Sequence, residues 1–180
     1  TLDLAAAVPV PELLALSEMR DVLNEAAQGA FAAAIFWRAN PAYAFPDQGL
    51  WKQAVTRIPA SIRIGLYEDE TARDCRWHLP EHHWLESWCD YQVTAECLSL
   101  QQPTIGPLHD TRQGEEILLA WLSALTGRSQ QTYLDYLKGR WQKEVYPAGS
   151  PVPFERFWNA ALHDGVLKRE PAPAPTRSLR

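Results

Sequence analysis

The feature that most narrows the fold is an alternation of helix-period and strand-like segments across the first eighty residues. Over 11–28, Leu13, Leu16, Met19, Leu23 and Ala27 recur at three- and four-residue steps, which places them on one helix face. Gly29 follows where a left-handed cap belongs. Residues 31–37 form an unbroken apolar run, the pattern of a strand buried on both faces, and Asn40-Pro41 stops it. The cycle then repeats. Asp47 is placed to cap a helix carrying Leu50, Trp51, Ala54, Val55 and Ile58, Pro59 ends it, and 61–67 read as a second strand. Asp69 is placed to cap a short helix through Cys75, and 77–79 read as a third strand ending at Pro80. This rhythm predicts an α/β fold with a mostly parallel sheet and crossover helices.

The second half has a different pattern. Residues 93–100 read as one further strand, and three helical segments follow. Asp110 is expected to cap the first, which carries Ile117, Leu118, Trp121, Leu122 and Leu125 and closes at Gly127. Ser129 is expected to open the second, with Tyr133, Leu137, Trp141 and Val145 on one stripe. Pro153 suits the first turn of the third, which carries Phe154, Phe157, Trp158, Ala161 and Leu162 before Gly165. The expected organisation is an α/β domain over 1–100, a helical extension packed on it over 101–169, and a flexible Pro/Ala tail over 170–180.

Composition excludes several classes of function. The apolar run of 31–37 is far short of the ~20 residues a membrane-spanning helix needs, so no direct membrane insertion is expected. The net charge is −5 and no basic run is present, which argues against nucleic acid as a partner. Three cysteines among 180 residues do not make a disulfide framework. The sequence opens at Thr1 without a targeting signal, and its eight Trp suit a core or an interface; both suggest a piece of a larger subunit.

In an open parallel sheet, ligands bind beyond the carboxyl ends of the strands. Those ends carry Arg38, Asn40 and Pro41 after the first strand, and Glu70 and Thr71 after the second. Asn40 can donate and accept at once, so it can read a base edge or hold a loop. Thr71, near a helix start, can help exposed amides hold a phosphate. The same residues also serve as ordinary turn and cap residues. Cys75, His78, His82, His83, Cys89 and Cys97 are six metal-ligand types in 23 residues, but apart from Cys75-x-x-His78 their spacing matches no zinc motif. Neither a nucleophile elbow nor a phosphate loop is present, so no catalytic residue and no metal ligand is assigned.

At these same loops the sequence resembles the molybdopterin oxidoreductases, the large-subunit family that includes dimethyl sulfoxide reductase and periplasmic nitrate reductase. The segments that carry the likeness are Phe36-Trp37-Arg38-Ala39-Asn40-Pro41-Ala42-Tyr43 and Gly65-Leu66-Tyr67-Glu68-Asp69-Glu70-Thr71-Ala72, followed by Leu79-Pro80 and Glu86. Within the family, His78-Leu79-Pro80, Leu85-Glu86-Ser87-Trp88, Gln102-Pro103 and Leu162-His163-Asp164-Gly165 are similar to the iron–sulfur B subunit of alternative complex III, a quinol-oxidising membrane complex. The resemblance runs over about 12–166 and implies a three-layer dinucleotide-fold domain with its helical extension, cut from a longer subunit. It implies molybdopterin guanine dinucleotide as the family cofactor, with Arg38, Asn40, Pro41, Glu70 and Thr71 at its site.

The departures from the family pattern imply that this cofactor has been lost. Arg38 stands where relatives carry Gly, Gly65 where they carry Asp, Cys75-Arg76 where they carry Ala-Asp, and Cys89 where they carry Gly. A buried guanine edge left without partners costs about 1–3 kcal/mol per group. The four-cysteine set of an iron–sulfur cluster is also missing from the sequence, so the piece is expected not to be catalytic by itself. The leading expectation is a cofactor-degenerate structural domain of a respiratory electron-transfer complex on the periplasmic side of a bacterial membrane. Its expected partners are the other domains of its subunit and iron–sulfur, haem or membrane subunits. Two alternatives stand beside it. One is a domain of an active molybdenum oxidoreductase that binds one guanine nucleotide, with Arg38 on a pyrophosphate. The other is a plain protein-interaction domain that docks through its Trp-rich helices.

Overall fold

The computed structural model describes residues 15–169, and the chain divides into two compact units. One takes the described residues through His83 together with Pro107–Leu118; the other takes Trp84–Gly106 and the described residues from Leu119 on. The units therefore divide the chain at other places than position 100. The start of the first helix at Pro11 and the tail over 170–180 lie outside the described residues.

The first unit is built on three parallel strands in the order β1 (Ala33–Trp37), β2 (Ala60–Gly65) and β3 (Trp77–Pro80). Ahead of β1 runs α1 (Leu16–Ala27); α2 (Pro41–Ala44) and α3 (Gln48–Arg57) connect β1 to β2, and α4 (Glu70–Asp74) connects β2 to β3. The caps read from the sequence are in place: Asp47 accepts the Leu50 N–H at 3.0 Å, and Asp69 accepts the Ala72 N–H at 2.9 Å. Trp51, Ala54, Val55 and Ile58 of the α3 region are buried and pack with Phe36, Ala34 and Leu23. Phe36 meets Trp51 edge-on, with ring centroids 5.1 Å apart.

Two expectations for this unit fail. β1 is not buried on both sides: it is an edge strand, its helices cover one face, and Ile35 on the other face is 47% exposed. The α1 stripe is only partly used, because Ala26 and Leu23 reach the core while Leu16 and Met19 stay exposed.

The second unit holds a separate antiparallel sheet of β4 (Cys89–Thr94), β5 (Cys97–Gln101) and β6 (Val166–Lys168). The strand expected over 93–100 is thus a hairpin, turned at 95–96 with a register shift between Gln92 and Thr94. The expected parallel sheet is present as β1–β3, and among the described residues it is joined by a separate three-stranded antiparallel sheet that the sequence does not announce. Against β5 pack α6 (Tyr133–Glu144) and α7 (Phe154–Asp164), with Leu137, Trp141, Trp158 and Ala161 buried. Thr132, not Ser129, caps α6, accepting the Asp135 N–H at 3.1 Å. Gly165 ends α7 at φ 70°, a left-handed cap that only glycine adopts freely. Helix α5 (Gly114–Thr126) starts three residues later than a cap at Asp110 would put it. Among the described residues no helix is long and apolar enough to cross a membrane.

Candidate functional site

Crossover connections bring the loops after β1 and β2 together at the carboxyl rim of the parallel sheet. Asn40 precedes α2, whose first residue is Pro41. Thr71, fully buried in α4, donates its hydroxyl to Asn40 Oδ1 at 2.8 Å and accepts the Ala42 N–H at 3.0 Å. Asn40 Nδ2 in turn donates to Glu70 Oε2 at 2.8 Å. That bond, ahead of the other influences on it, lowers the Glu70 pKa from its ordinary value. Asn40, Ala42, Glu70 and Thr71 thus form one connected lock between two loops, and Pro41 only opens α2 within it.

Arg38 is turned elsewhere. Its backbone sits at φ 52°, a left-handed conformation that disfavours any side chain with a Cβ. Its guanidinium is clamped by two carboxylates: Nη2 donates to Glu81 Oε1 at 2.6 Å and to Glu115 Oε1 at 3.1 Å, and Nε donates to Glu81 Oε1 at 3.0 Å. Glu81 is 4% exposed and also accepts the Trp37 indole N–H at 3.0 Å. Partial burial pulls the Arg38 pKa down, but the bond and charge of Glu81 and the charge of Glu115 outweigh it and leave it raised. Gly114, which opens α5, packs against this cluster, and a Cβ there would lie 2.7 Å from the Trp37 indole nitrogen. The 107–118 segment reaches the cluster by pairing beside β3, with the Arg112 N–H on the Pro80 carbonyl at 3.2 Å.

Beside the lock lies Arg63, 6% exposed inside β2. Its guanidinium donates to Asp69 Oδ2 at 2.8 Å, to the Phe36 carbonyl at 3.1 Å and to the Ile64 carbonyl. Burial pushes the Asp69 pKa up; the bond from Arg63 and the Ala72 N–H more than reverse this, so it ends lowered. The guanidinium fills the space beside Gly65, where an added Cβ would lie 2.6 Å from the Arg63 Cζ.

Arg63, Glu81 and Glu115 were not among the residues singled out from the sequence. A charged residue inside an otherwise apolar strand was the available signal for Arg63, because such a group is buried only when it is paired. Nothing in local sequence marks Glu115 as a partner of Arg38, 77 positions away.

The six candidate soft ligands do not assemble. His78 Nε2 lies 3.2 Å from the Gly65 carbonyl and His82 Nδ1 lies 2.6 Å from the Thr111 hydroxyl, while Cys89 and Cys97 belong to the other unit. Among the described residues no three His, Cys, Asp or Glu come together as a metal could require. Burial, and then the charge of Asp74, pushes the half-buried Cys75 thiol up to about 11.

The rim's Arg38, Asn40, Arg63, Asp69, Glu70 and Thr71 are paired within the chain. Among the described residues no buried side-chain nitrogen or oxygen lacks a partner. A guanine edge brought to this rim would meet a guanidinium beside Gly65 and no orphaned buried group, so these residues do not fit a guanine dinucleotide.

No family model matches the chain. The chain is 30% identical to the molybdopterin-binding-like subunit of menaquinone reductase from Nitratidesulfovibrio vulgaris, in an alignment covering 49% of this chain and 13% of that protein. In fold it is similar to acetylene hydratase from Pelobacter acetylenicus, with a TM-score of 0.53 and 14% identity over 63% of this chain and 16% of that one. The chain thus spans a small part of the length of either protein. The resemblance to molybdopterin oxidoreductases read from the sequence is met by the curated relative, and the structural likeness concerns the fold alone.

Proposed function

We propose that this chain is a structural domain of a molybdopterin-oxidoreductase-type large subunit in which the dinucleotide rim has closed on itself. The observation that carries this reading is the Arg63 guanidinium, held by Asp69 and two strand-end carbonyls in the space beside Gly65. A rim built to hold a nucleotide keeps donors and acceptors turned outward, and desolvating them without a ligand is costly. Here Arg63, Asp69, Asn40 and Thr71 spend theirs on each other and on neighbouring backbone. The Arg38–Glu81–Glu115 clamp and the Asn40–Glu70–Thr71 lock then act as staples between loops, and none of these residues is a catalytic residue.

In this reading the parent subunit scaffolds electron transfer between iron–sulfur and haem carriers, in a respiratory complex of the alternative complex III kind on the periplasmic side. The His78-Leu79-Pro80 and Leu85-Glu86-Ser87-Trp88 segments support it, as does the name of the curated relative, a molybdopterin-binding-like subunit of menaquinone reductase. The test is elemental analysis of the parent subunit together with fluorescence of released pterin. The expected result is no stoichiometric molybdenum and no pterin; one molybdenum per subunit with matching pterin would contradict it.

A further inference from the structure

Trp37 and Arg38 are neighbours at the end of β1, and both side chains reach Glu81. Glu81 Oε1 accepts the Trp37 indole N–H at 3.0 Å and Arg38 Nη2 at 2.6 Å, and the guanidinium lies over the Trp37 ring, 4.8 Å from its centroid. Successive residues of an extended strand point to opposite faces. The left-handed backbone of Arg38, at φ 52°, breaks that alternation and brings its side chain round to the face of Trp37. Such a backbone is unfavourable for any residue with a Cβ and persists where its surroundings hold it.

Part of that hold comes from a distant segment. Residues 107–118 run beside β3 as a strap, and a single parallel bridge attaches their backbone there. Its two bonds are the Arg112 N–H on the Pro80 carbonyl at 3.2 Å and the His82 N–H on the Arg112 carbonyl at 3.1 Å. Residues 107–110 are exposed, and the strap buries one apolar side chain, Ile117. Segments with few backbone bonds and little buried apolar area open locally while the rest of a fold stays shut. The strap also carries Glu115, which meets Arg38 at 3.1 Å, and Gly114, which packs on Trp37 and Glu81. Two residues beyond Arg38 stands Asn40, whose side chain accepts the Thr71 hydroxyl and whose carbonyl takes the Ala44 N–H at 2.9 Å. Arg38 is therefore the joint between the strap and the lock.

We infer that the 107–118 strap and the Asn40–Thr71 lock form one two-state device, hinged on Arg38. With the strap seated, Glu115 and a dry Glu81 hold Arg38 in its left-handed turn, and the turn aims Asn40 at Thr71. With the strap lifted, Arg38 loses one carboxylate and water reaches the other. Its backbone then returns to an ordinary conformation and Asn40 leaves Thr71. The inference rests on the self-closed rim proposed above and makes that closure conditional on the strap. The test is hydrogen exchange by mass spectrometry on the parent polypeptide carrying Gly114→Ala. The added Cβ would press on Glu81 and lie 2.7 Å from the Trp37 indole nitrogen, while alanine favours the α5 helix itself. The expected result is exchange faster by on the order of tenfold in both 107–118 and 41–45, with β2 and α3 unchanged. Glu115→Gln, which removes the charge without the wedge, should move the same two segments by less. A rise confined to 107–118, a rise that spreads into β2 and α3, or no change in either variant would overturn the device. Nucleotide binding by the unsubstituted protein would remove the closed-rim reading, whereas uncoupled exchange would remove this inference alone.

Discussion

The two units of this chain hold themselves together by opposite means. In the unit with the antiparallel sheet the centre is aromatic: Trp141 and Trp158 meet edge-on at 5.6 Å, Phe157 lies 6.5 Å from Trp141, and Leu137 is fully buried beside them. Asp90 takes the Trp141 indole N–H at 2.7 Å and pairs with Arg140. In the parallel-sheet unit the aromatic and aliphatic packing sits under one sheet face, and the rim is a set of ion pairs and amide locks. An apolar centre explains itself by the area it removes from water. A buried ionic rim does not, because desolvating the charges offsets much of their attraction. Such a rim has to be read for what it holds, and here it holds its own loops.

The largest expected effect is in the aromatic unit. Trp158→Ala empties a site only 1% exposed and should cost about 3–5 kcal/mol, read from chemical denaturation. A loss below 1 kcal/mol would mean that this centre is not the anchor the packing indicates.

Next is Arg63→Ala, which takes from Asp69 its counter-charge and should cost about 3 kcal/mol, the low end for breaking a buried pair because Asp69 keeps the Ala72 N–H and some access to water. The pH dependence has a definite sign. With the Asp69 pKa lowered in the folded state, its stabilisation is complete above the unfolded carboxylate value, near ~3.9, and fades as pH falls through the folded value. Arg63→Ala should therefore flatten the acid limb of the stability curve. An unchanged acid limb would separate the ion pair from stability.

The smallest effect sharpens the comparison most. Arg38→Ala keeps the positive φ and loses the clamp, at a cost of about 1–3 kcal/mol for its charged hydrogen bonds. Arg38→Gly loses the same bonds but relieves the left-handed strain, so it should be about 1 kcal/mol the more stable of the two. Equal stabilities would show that the backbone there carries no strain.

How much of this was legible in the sequence depends on the range over which each signal acts. Helix periodicity and side-chain caps are local, so Asp47, Asp69 and the Tyr133–Leu137–Trp141 stripe are where their neighbours put them. The hairpin at 95–96 was missed because its two strands are short and its turn, Ala95-Glu96, carries no Gly, Asn or Pro. The β6 strand was missed because three residues after a helix cap give no pattern to read. At the rim, the meeting of the Asn40 and Thr71 loops follows from parallel topology, which the alternation of segments implies. The partners of Arg38 do not follow from it, because Glu115 arrives on a segment that returns from 77 positions away.

The most direct test of the self-closed rim is a calorimetric titration of this chain with guanosine monophosphate and guanosine diphosphate. The account predicts no saturable heat up to millimolar nucleotide, for the parent chain and for Arg38→Ala alike. Saturable one-site binding by the parent that Arg38→Ala abolishes would contradict it and would make Arg38 a ligand for phosphate rather than a staple.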